Sequence, residues 1–407
     1  MNYITKPIAF QAMAKPIGPI CNLNCTYCYY LEKYKLYKDC NNFKMPDELL
    51  AKFVKQYIMA QEVPVVQFVW QGGEPTLLGI EYFEKIIQLQ KKYALGKKIE
   101  NSLQTNGTLL SDEWCVFLKK NNFLVGISVD GPEQIHDKYR PLKTGKPSFE
   151  KVMRGIYLLR KHQIDFNTLT VVHNHNSKYP LEIYKFLKSI GSTYLQFIPI
   201  VERASSQPSA NELKLVGPYD TSAQVTDWSV KPVDYGNFLI SIFNEWVRND
   251  VGSVFVQQFD ATLANWVGEN PGICVFTPTC GDAVVIEHNG DVYSCDHFVY
   301  PQYKLGNIQE ESLLDLVQSE KQKKFGKIKQ NTLPRQCIEC DYAFACHGEC
   351  PKHRFTKTSD GENNLNYLCA GYKKFYSHVH PYMQFMEEEL EAKRAPANVM
   401  AWARNIR

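Results

Sequence analysis

The stretch Cys21-Asn-Leu-Asn-Cys25-Thr-Tyr-Cys28-Tyr-Tyr-Leu31 decides the fold of this 407-residue chain and points to its chemistry. Its three cysteines stand at a C-x3-C-x2-C spacing, directly after a strand-like run. Thiolates are the ligands that iron–sulfur clusters prefer, so these three can hold three irons of a [4Fe–4S] cluster. Because no fourth cysteine follows nearby, one iron stays open, and an open iron favours catalysis over electron storage.

Composition excludes several classes of protein. Charged residues make up 22% of the chain and the formal net charge is +3, too small to indicate a nucleic-acid or membrane-binding protein. The sequence has no apolar run long enough to span a bilayer, and its first residues lack the pattern of a signal peptide. An odd total of 13 cysteines then favours reduced, metal-binding thiols in the cytoplasm over a disulfide framework. Open-cluster chemistry also suggests an oxygen-poor setting.

The first half of the chain alternates strand-like and helix-like segments. Apolar runs predict buried parallel strands at 8–14, 65–70, 99–104, 124–129, 167–172 and 194–200. Helical patterns separate them at 47–60, 81–93, 112–121, 149–162 and 181–190, with a sixth at 234–248. Six such units predict an α/β fold, a partial (β/α)6 TIM-like barrel whose site lies at the carboxyl ends of the strands.

The sequence also predicts a division into domains. We expect the barrel to occupy residues 1–250, with a polar surface insertion at 202–232. Residues 251–366 are expected to form a second domain organised by metal, because after about residue 271 cysteines crowd in and regular helices become scarce. Within it, Asn289-Gly290 predicts the turn of a β-hairpin. The tail, 367–407, is predicted to be helical and carries the last cysteine.

The cysteine motif, with an aromatic residue before its third cysteine, resembles the radical S-adenosylmethionine (SAM) superfamily. In that superfamily the amino and carboxylate groups of SAM chelate the open iron, and reductive cleavage of SAM yields a 5′-deoxyadenosyl radical. The same resemblance implies the partial barrel. The residues alone leave a zinc site or a set of redox thiols as the alternative.

The resemblance implies which residues bind SAM. Gly73 and Glu74, in the Gly-Gly-Glu-Pro segment after the second strand, would meet the amino group of SAM, since glycines let the backbone approach a ligand closely. The other implied contacts are Ser128 and Arg140 for the ribose and the carboxylate, and Val201 and Tyr27 for the adenine. Taken alone, each of these could be a turn, surface or core residue.

Eight cysteines in the second half resemble the SPASM extension of radical SAM enzymes, which carries two auxiliary [4Fe–4S] clusters. Eight thiolates suffice for two fully ligated clusters, whose natural role is electron transfer. By the family's pattern the first is held by Cys274, Cys280, Cys295 and Cys350, and the second by Cys337, Cys340, Cys346 and Cys369. Two structural zinc sites are the alternative. Cys40 and Cys115 fall outside these sets.

Four segments, at 21–30, 68–77, 101–109 and 293–299, resemble the anaerobic sulfatase-maturating enzymes. These convert one Cys or Ser of a sulfatase to Cα-formylglycine. The resemblance implies three [4Fe–4S] clusters, SAM, a Cys- or Ser-type sulfatase polypeptide as substrate, and an electron donor such as ferredoxin or flavodoxin. It implies that Asp296, beside a cluster cysteine, removes the proton from the target thiol or hydroxyl. Tyr30, Gln71 and Gln104 are predicted substrate contacts.

Two other functions stay open at this point. A thioether-forming peptide maturase of the SPASM type is the nearer one, but only 20 residues precede Cys21, so we expect no leader-binding domain. A non-catalytic zinc or electron-transfer protein is the other, and it would need neither the Gly-Gly-Glu-Pro segment nor Ser128 and Arg140.

Overall fold

One mixed sheet runs through the computed structural model, which describes residues 8–37, 42–206, 213–218, 220 and 222–405. The strands are β1 (Gln11–Lys15), β2 (Val65–Trp70), β3 (Lys98–Thr105), β4 (Phe123–Ser128), β5 (Phe166–Val172), β6 (Tyr194–Pro199), β7 (Arg203–Ala204), β8 (Gln224–Val225), β9 (Phe255–Val256), β10 (Ala283–Glu287), β11 (Asp291–Tyr293) and β12 (Lys304–Asn307). Within the described ranges, ten of them join in the order β12-β11-β10-β1-β2-β3-β4-β5-β6-β9, while β7 and β8 form a separate ribbon. Because β1 to β6 are parallel and follow in chain order, they form an open partial barrel.

Helices connect these strands and continue through the second half. They are α1 (Asp47–Ala60), α2 (Ile80–Tyr93), α3 (Asp112–Lys120), α4 (Glu133–Asp137), α5 (Phe149–Lys161), α6 (Pro180–Ser189), α7 (Pro232–Asn249), α8 (Gln257–Trp266), α9 (Leu313–Gln318), α10 (Glu320–Asn331), α11 (Arg335–Ile338), α12 (Ala343–Cys346), α13 (Cys369–Glu391) and α14 (Val399–Asn405). Their apolar faces cover the barrel, as α1 shows. Its Phe53 stacks on Tyr57 and meets Phe68 and Trp70 of β2 edge-on, and all four rings are buried.

The hairpin of the cysteine-rich part completes the barrel sheet. β10 and β11 flank the predicted Asn289-Gly290 turn, where Gly290 has a φ of +87° that favours glycine. β10 pairs in parallel with β1, with Lys15 opposite Glu287. The turn of this hairpin therefore lies beside the carboxyl end of β1.

The six predicted barrel strands and their helices agree with the structure to within three residues. The expectation that helices become scarce after residue 271 is wrong, because α9 and α10 pack there against the hairpin side of the sheet. α10, Glu-Lys-Gln-Lys-Lys-Phe-Gly-Lys-Ile-Lys-Gln-Asn, has too few apolar residues to show a clear helical period, and its Lys, Gln and Glu residues favour helix by propensity.

Some predictions lie partly or wholly outside the described residues. The insertion at 202–232 forms the β7–β8 ribbon where it is described, and Cys40 falls outside. The domain boundaries at 250 and 366 stay predictions. Among the helices of the described residues, none is both long and apolar enough to cross a bilayer.

Candidate active site

The Gly-Gly-Glu-Pro segment after β2 is pressed onto the backbone that leads into the cysteine motif. Gly73 N–H donates to the Gly18 carbonyl at 2.8 Å, and Glu74 N–H donates to the Ile20 carbonyl at 2.8 Å. A Cβ at Gly73 would lie 1.9 Å from the Ile20 carbonyl oxygen. Only glycine permits this approach, so the segment fixes the chain one residue before Cys21.

The Glu74 carboxylate is fully buried and surrounded by donors of the chain itself. Oε1 accepts from Thr76 N–H at 3.0 Å and from the hydroxyls of Thr76 and Thr105 at 2.6 and 2.7 Å. Oε2 accepts from Asn106 N–H at 2.7 Å. These bonds join the ends of β2 and β3. The predicted contact of Glu74 with SAM stays a prediction, and the observed contacts give its carboxylate a supporting role in the loop.

Cys21, Cys25 and Cys28 lie within electrostatic range of one another. Burial raises the pKa of Cys21 to about 11. Burial raises the pKa of Cys25 as well, and Arg140 opposes that rise. The chain thus gathers three thiols that must lose protons when metal binds, as cluster ligands do. This donor set fits three irons of a [4Fe–4S] cluster.

Arg140, Asp130 and Tyr27 form a buried group beside this loop. Arg140 Nε donates to Asp130 Oδ2 at 3.0 Å, and the Tyr27 hydroxyl donates to the same oxygen at 2.5 Å. The Arg140 guanidinium lies 5.5 Å from the centre of the Tyr27 ring. The group ties the end of β4 to the cysteine loop and keeps a cation next to Cys25. It therefore lies where the resemblance expects part of the SAM site.

The remaining predicted SAM and substrate residues lie on the ends of the barrel strands. Ser128 Oγ accepts from Gln104 Nε2 at 3.1 Å, so these two predicted contacts touch each other. Val201, just after β6, is buried. Gln71 is half-buried, and its N–H donates to the Ala14 carbonyl. Their contacts with SAM or peptide stay predictions.

Eight of the other cysteines fall into the two groups that the resemblance implies. Cys274, Cys280, Cys295 and Cys350 line one cavity of about 420 Å³, together with Asp296. Cys337, Cys340, Cys346 and Cys369 line another, of about 280 Å³. Each group holds four thiols around one space, which fits a four-cysteine cluster; their role as ligands stays a prediction.

The spacing of these thiols bears on the zinc alternative. A tetrahedral zinc ion with Zn–S distances of about 2.3 Å needs its ligands in close mutual contact. In the part of the chain that the structure describes, no three His, Cys, Asp or Glu side chains converge closely enough to hold one metal ion.

Asp296 lies where the two cysteine-rich loops meet. It directly follows Cys295, and its Oδ2 accepts at 2.5 Å from the hydroxyl of Tyr29, which directly follows Cys28. Its Oδ1 pairs with the ammonium of Lys15, at the end of β1. Lys15 is 1% exposed, and its Nζ lies 3.6 Å from the centre of the Tyr30 ring. Asp296 is therefore held at the barrel mouth by a cation and a phenol.

These partners decide the charge of Asp296. Burial raises the pKa of this carboxyl, but Lys15, His297 and the Tyr29 hydroxyl together outweigh burial, and the pKa falls to about 2. Asp296 is therefore ionised at neutral pH, as an acceptor of protons must be.

Sequence reasoning missed the residues that hold Asp296. Lys15 is a charged residue in a buried strand, which is a weak signal for a buried partner. Tyr29 had no signal apart from its place beside Cys28. The predicted substrate residue Tyr30 is buried, and its hydroxyl donates to Glu287 Oε2 at 2.6 Å. That contact favours a supporting role for Tyr30, and its substrate contact stays a prediction.

Comparison with known proteins agrees with this geometry. Residues 16–187 match the Radical SAM superfamily, and residues 274–341 match SPASM, an iron–sulfur cluster-binding domain. The chain is 54% identical over 395 residues to a serine-type anaerobic sulfatase-maturating enzyme of Bacteroides thetaiotaomicron, covering 97% of this chain and 95% of that protein. It is 35% identical over 376 residues to a cysteine-type enzyme of Clostridium perfringens, covering 91% and 96%.

Solved structures give the same result. The structure of native anSMEcpe with bound AdoMet and Cp18Cys peptide matches with a TM-score of 0.82 and 33% identity. The match covers 94% of this chain and all of that one (100%). Sequence and fold thus agree along nearly the full chain. It belongs to the family of anaerobic sulfatase-maturating enzymes, within the radical SAM superfamily.

Proposed function

We propose that this enzyme oxidises a serine of a sulfatase polypeptide to Cα-formylglycine, with Asp296 as the base. Identity supports the serine, since the chain is 54% identical to a serine-type relative and 35% identical to a cysteine-type one. The contacts of Asp296 support the base, because Lys15 and Tyr29 hold an ionised carboxylate at the barrel mouth between two sets of thiols. We predict that the reaction takes place in the cytoplasm.

The chain's own residues supply binding and proton transfer. Bound at Cys21, Cys25 and Cys28, a cluster with SAM would supply the radical that takes a hydrogen atom from Cβ of the target. Arg140 and Tyr27 hold the cysteine loop against the strand ends. Asp296 then takes the proton from the target hydroxyl. Loss of the second electron turns the substrate radical into a protonated aldehyde, which is a strong acid, so the ionised Asp296 can accept its proton as that electron leaves.

The remaining electron of the oxidation needs an acceptor, since an alcohol gives up two electrons on becoming an aldehyde. The family resemblance implies that it leaves through the auxiliary clusters. Cys295 lines the first auxiliary cavity and immediately precedes Asp296. The proton and the electron of the substrate would thus leave at adjacent residues. An external carrier such as ferredoxin or flavodoxin completes the exchange.

A peptide assay tests the activity. Anaerobically reconstituted enzyme is given SAM, a strong reductant and a short sulfatase-motif peptide with Ser or, in a matched sample, Cys. We expect a mass loss of about 2 for Ser, formed faster than the loss of about 18 for Cys, as the atoms lost on aldehyde formation require. Faster oxidation of the Cys peptide would contradict the serine preference. Unchanged peptides with SAM still cleaved to 5′-deoxyadenosine would contradict the proposed reaction.

Asp296→Asn tests the base. The amide keeps the shape but cannot take a proton, so we expect SAM cleavage to continue while aldehyde formation falls by about 10²- to 10⁴-fold. Asp165→Asn is the control, because Asp165 is exposed and directly precedes β5, at the amino end of the barrel strands. Wild-type aldehyde yield from Asp296→Asn would refute the assignment.

A further inference from the structure

The helix α10 has two faces of different character. Five lysines and one glutamate give it a formal charge of +4, more than the +3 of the whole chain. Lys321, Lys323, Lys324 and Lys327 are exposed, whereas Phe325, Gly326 and Lys329 face inward and are buried. The outer face of α10 therefore presents four exposed lysines, with Glu320 as its one acidic residue.

The inner face of α10 packs against the first auxiliary cavity, which Phe325 helps to line. Lys329 Nζ donates to the carbonyls of Cys274 and Val275 at 2.7 and 2.8 Å. The Cys280 N–H donates to the Gly326 carbonyl at 3.0 Å, and a Cβ at Gly326 would lie 2.5 Å from the Cys280 carbonyl oxygen. The helix is thus bonded to two of the four thiol-bearing residues. Its outer lysines lie about one helix diameter, ~10 Å, from that cavity.

The outer lysines make few strong contacts within the protein. Lys323 pairs with Glu320 at 2.8 Å, but both side chains are exposed, and such pairs contribute little. Lys321 donates to the Lys304 carbonyl. Lys324 and Lys327 have no hydrogen-bond or ion-pair partner among the residues that the structure describes. Their charge is available to an incoming acidic surface.

We propose that the outer face of α10 is the docking surface for an acidic one-electron carrier protein that exchanges electrons with the first auxiliary site. This inference rests on the proposed function, because it requires that Cys274, Cys280, Cys295 and Cys350 hold a cluster. One electron passes between carrier and cluster, and no bond forms or breaks. Charge complementarity selects the partner, since a concentrated cationic face steers an acidic protein and repels a basic one. Because α10 lies over thiols that would hold a cluster, we infer that this partner is a redox protein.

Binding tests the surface directly. Oxidised flavodoxin, an acidic carrier, is titrated into anaerobically reconstituted enzyme at low ionic strength and followed by calorimetry. We expect the double variant Lys324→Glu, Lys327→Glu to raise Kd by about 10-fold or more, and to flatten its dependence on salt. The control is Lys91→Glu, Lys92→Glu, which makes the same change of charge at the exposed end of α2. Equal Kd values in both variants and wild type, or equal weakening in both variants, would overturn the proposal.

Electron transfer gives a second readout. Reduced flavodoxin is mixed with enzyme in a stopped-flow instrument without SAM or peptide, and bleaching of the iron–sulfur absorbance is followed. We expect the α10 variant to slow this transfer about 10-fold and to leave reduction by dithionite unchanged. Unchanged transfer from flavodoxin would overturn the proposal. Neither the binding nor the transfer measurement uses the sulfatase peptide. A failure of docking can therefore be told apart from a failure to form aldehyde. If the substitutions to glutamate lower the iron content of the enzyme, the milder double variant Lys324→Gln, Lys327→Gln replaces them in both measurements.

Discussion

The barrel and the cysteine-rich part are held together by different forces. In the barrel, Phe53, Tyr57, Phe68 and Trp70 pack ring against ring, fully buried. In the cysteine-rich part, the buried guanidinium of Arg354 donates to the carbonyls of Gly348, Lys329, His347 and Glu349. Apolar burial contributes most to the first, whereas buried polar bonds and metal ligands organise the second. Substitutions in the two regions should therefore fail in different ways.

The largest expected effect is a loss of SAM cleavage, without a loss of fold, on substitution in the cysteine loop. Cys21→Ala should reduce SAM cleavage to background, because two thiolates cannot hold the open cluster, while the protein stays folded because Cys21 lies in a loop and is only partly buried. Cys115→Ala is the control; that thiol is buried in α3, away from the cysteine sets, and SAM cleavage should persist. Chromatography of 5′-deoxyadenosine and far-UV circular dichroism measure both. Normal cleavage by Cys21→Ala would contradict its role as a ligand.

The next effect concerns the contact between the two regions. Lys15→Met should lower aldehyde formation by about 10- to 100-fold by releasing Asp296 from its position, while SAM cleavage continues. More 5′-deoxyadenosine should therefore form per aldehyde, so the coupling of SAM cleavage to aldehyde formation should fall. Lys15→Arg should restore part of this coupling.

Lys33→Met is a matched control for Lys15→Met. Lys33 is as buried as Lys15, at 1% exposed, and its Nζ lies 3.6 Å from the centre of the Tyr300 ring. A similar loss of coupling in both variants would show that Lys15 acts through general stability. Retained coupling in Lys15→Met would exclude a positioning role.

Two substitutions, one in each region, test whether different forces hold the two regions together. Arg354→Met leaves buried carbonyls without donors, so we expect the auxiliary clusters to be lost and iron to fall by up to about two thirds, two clusters of three. Phe68→Ala should instead lower the free energy of unfolding by about 3–5 kcal/mol while the folded protein keeps its iron. Iron analysis and urea unfolding measure the two. Full iron in Arg354→Met would show that the polar network is dispensable.

The smallest effect is a pH dependence confined to the barrel. Burial, and then the positive charge of Arg140, lowers the pKa of His136 to about 3, below its ordinary value of 6.5. The unfolded chain therefore takes up the proton first, so stability is full above pH 6.5 and is lost as the pH falls toward 3. Between pH 7 and pH 5 this histidine should cost about 2 kcal/mol of unfolding free energy.

Urea unfolding at the two pH values measures this dependence. His136→Gln should reduce the pH dependence by that amount, because glutamine does not titrate. Lys146→Gln, at an exposed loop position, is the control and should leave it unchanged. An identical pH dependence in wild type and His136→Gln would contradict the lowered pKa.

Most of the barrel was predictable because its signal is local. Apolar runs such as Val65–Trp70 and turn signals such as Asn289-Gly290 are set by neighbours in sequence, and the strands and hairpin formed where expected. α10 was missed because a lysine-rich helix held by a few inward residues shows little hydrophobic period, and α9 was missed because its six residues are too few to show one.

The sequence by itself determined the chemistry that this protein can host, because thiol type and spacing decide which metal group one loop can ligate. It also determined the alternation of strands and helices. The tertiary structure alone decided that β10 joins β1 in parallel and that Asp296 meets Lys15 across 281 residues of chain. Such a contact depends on strand register and on burying opposite charges together, and neither is written in local sequence.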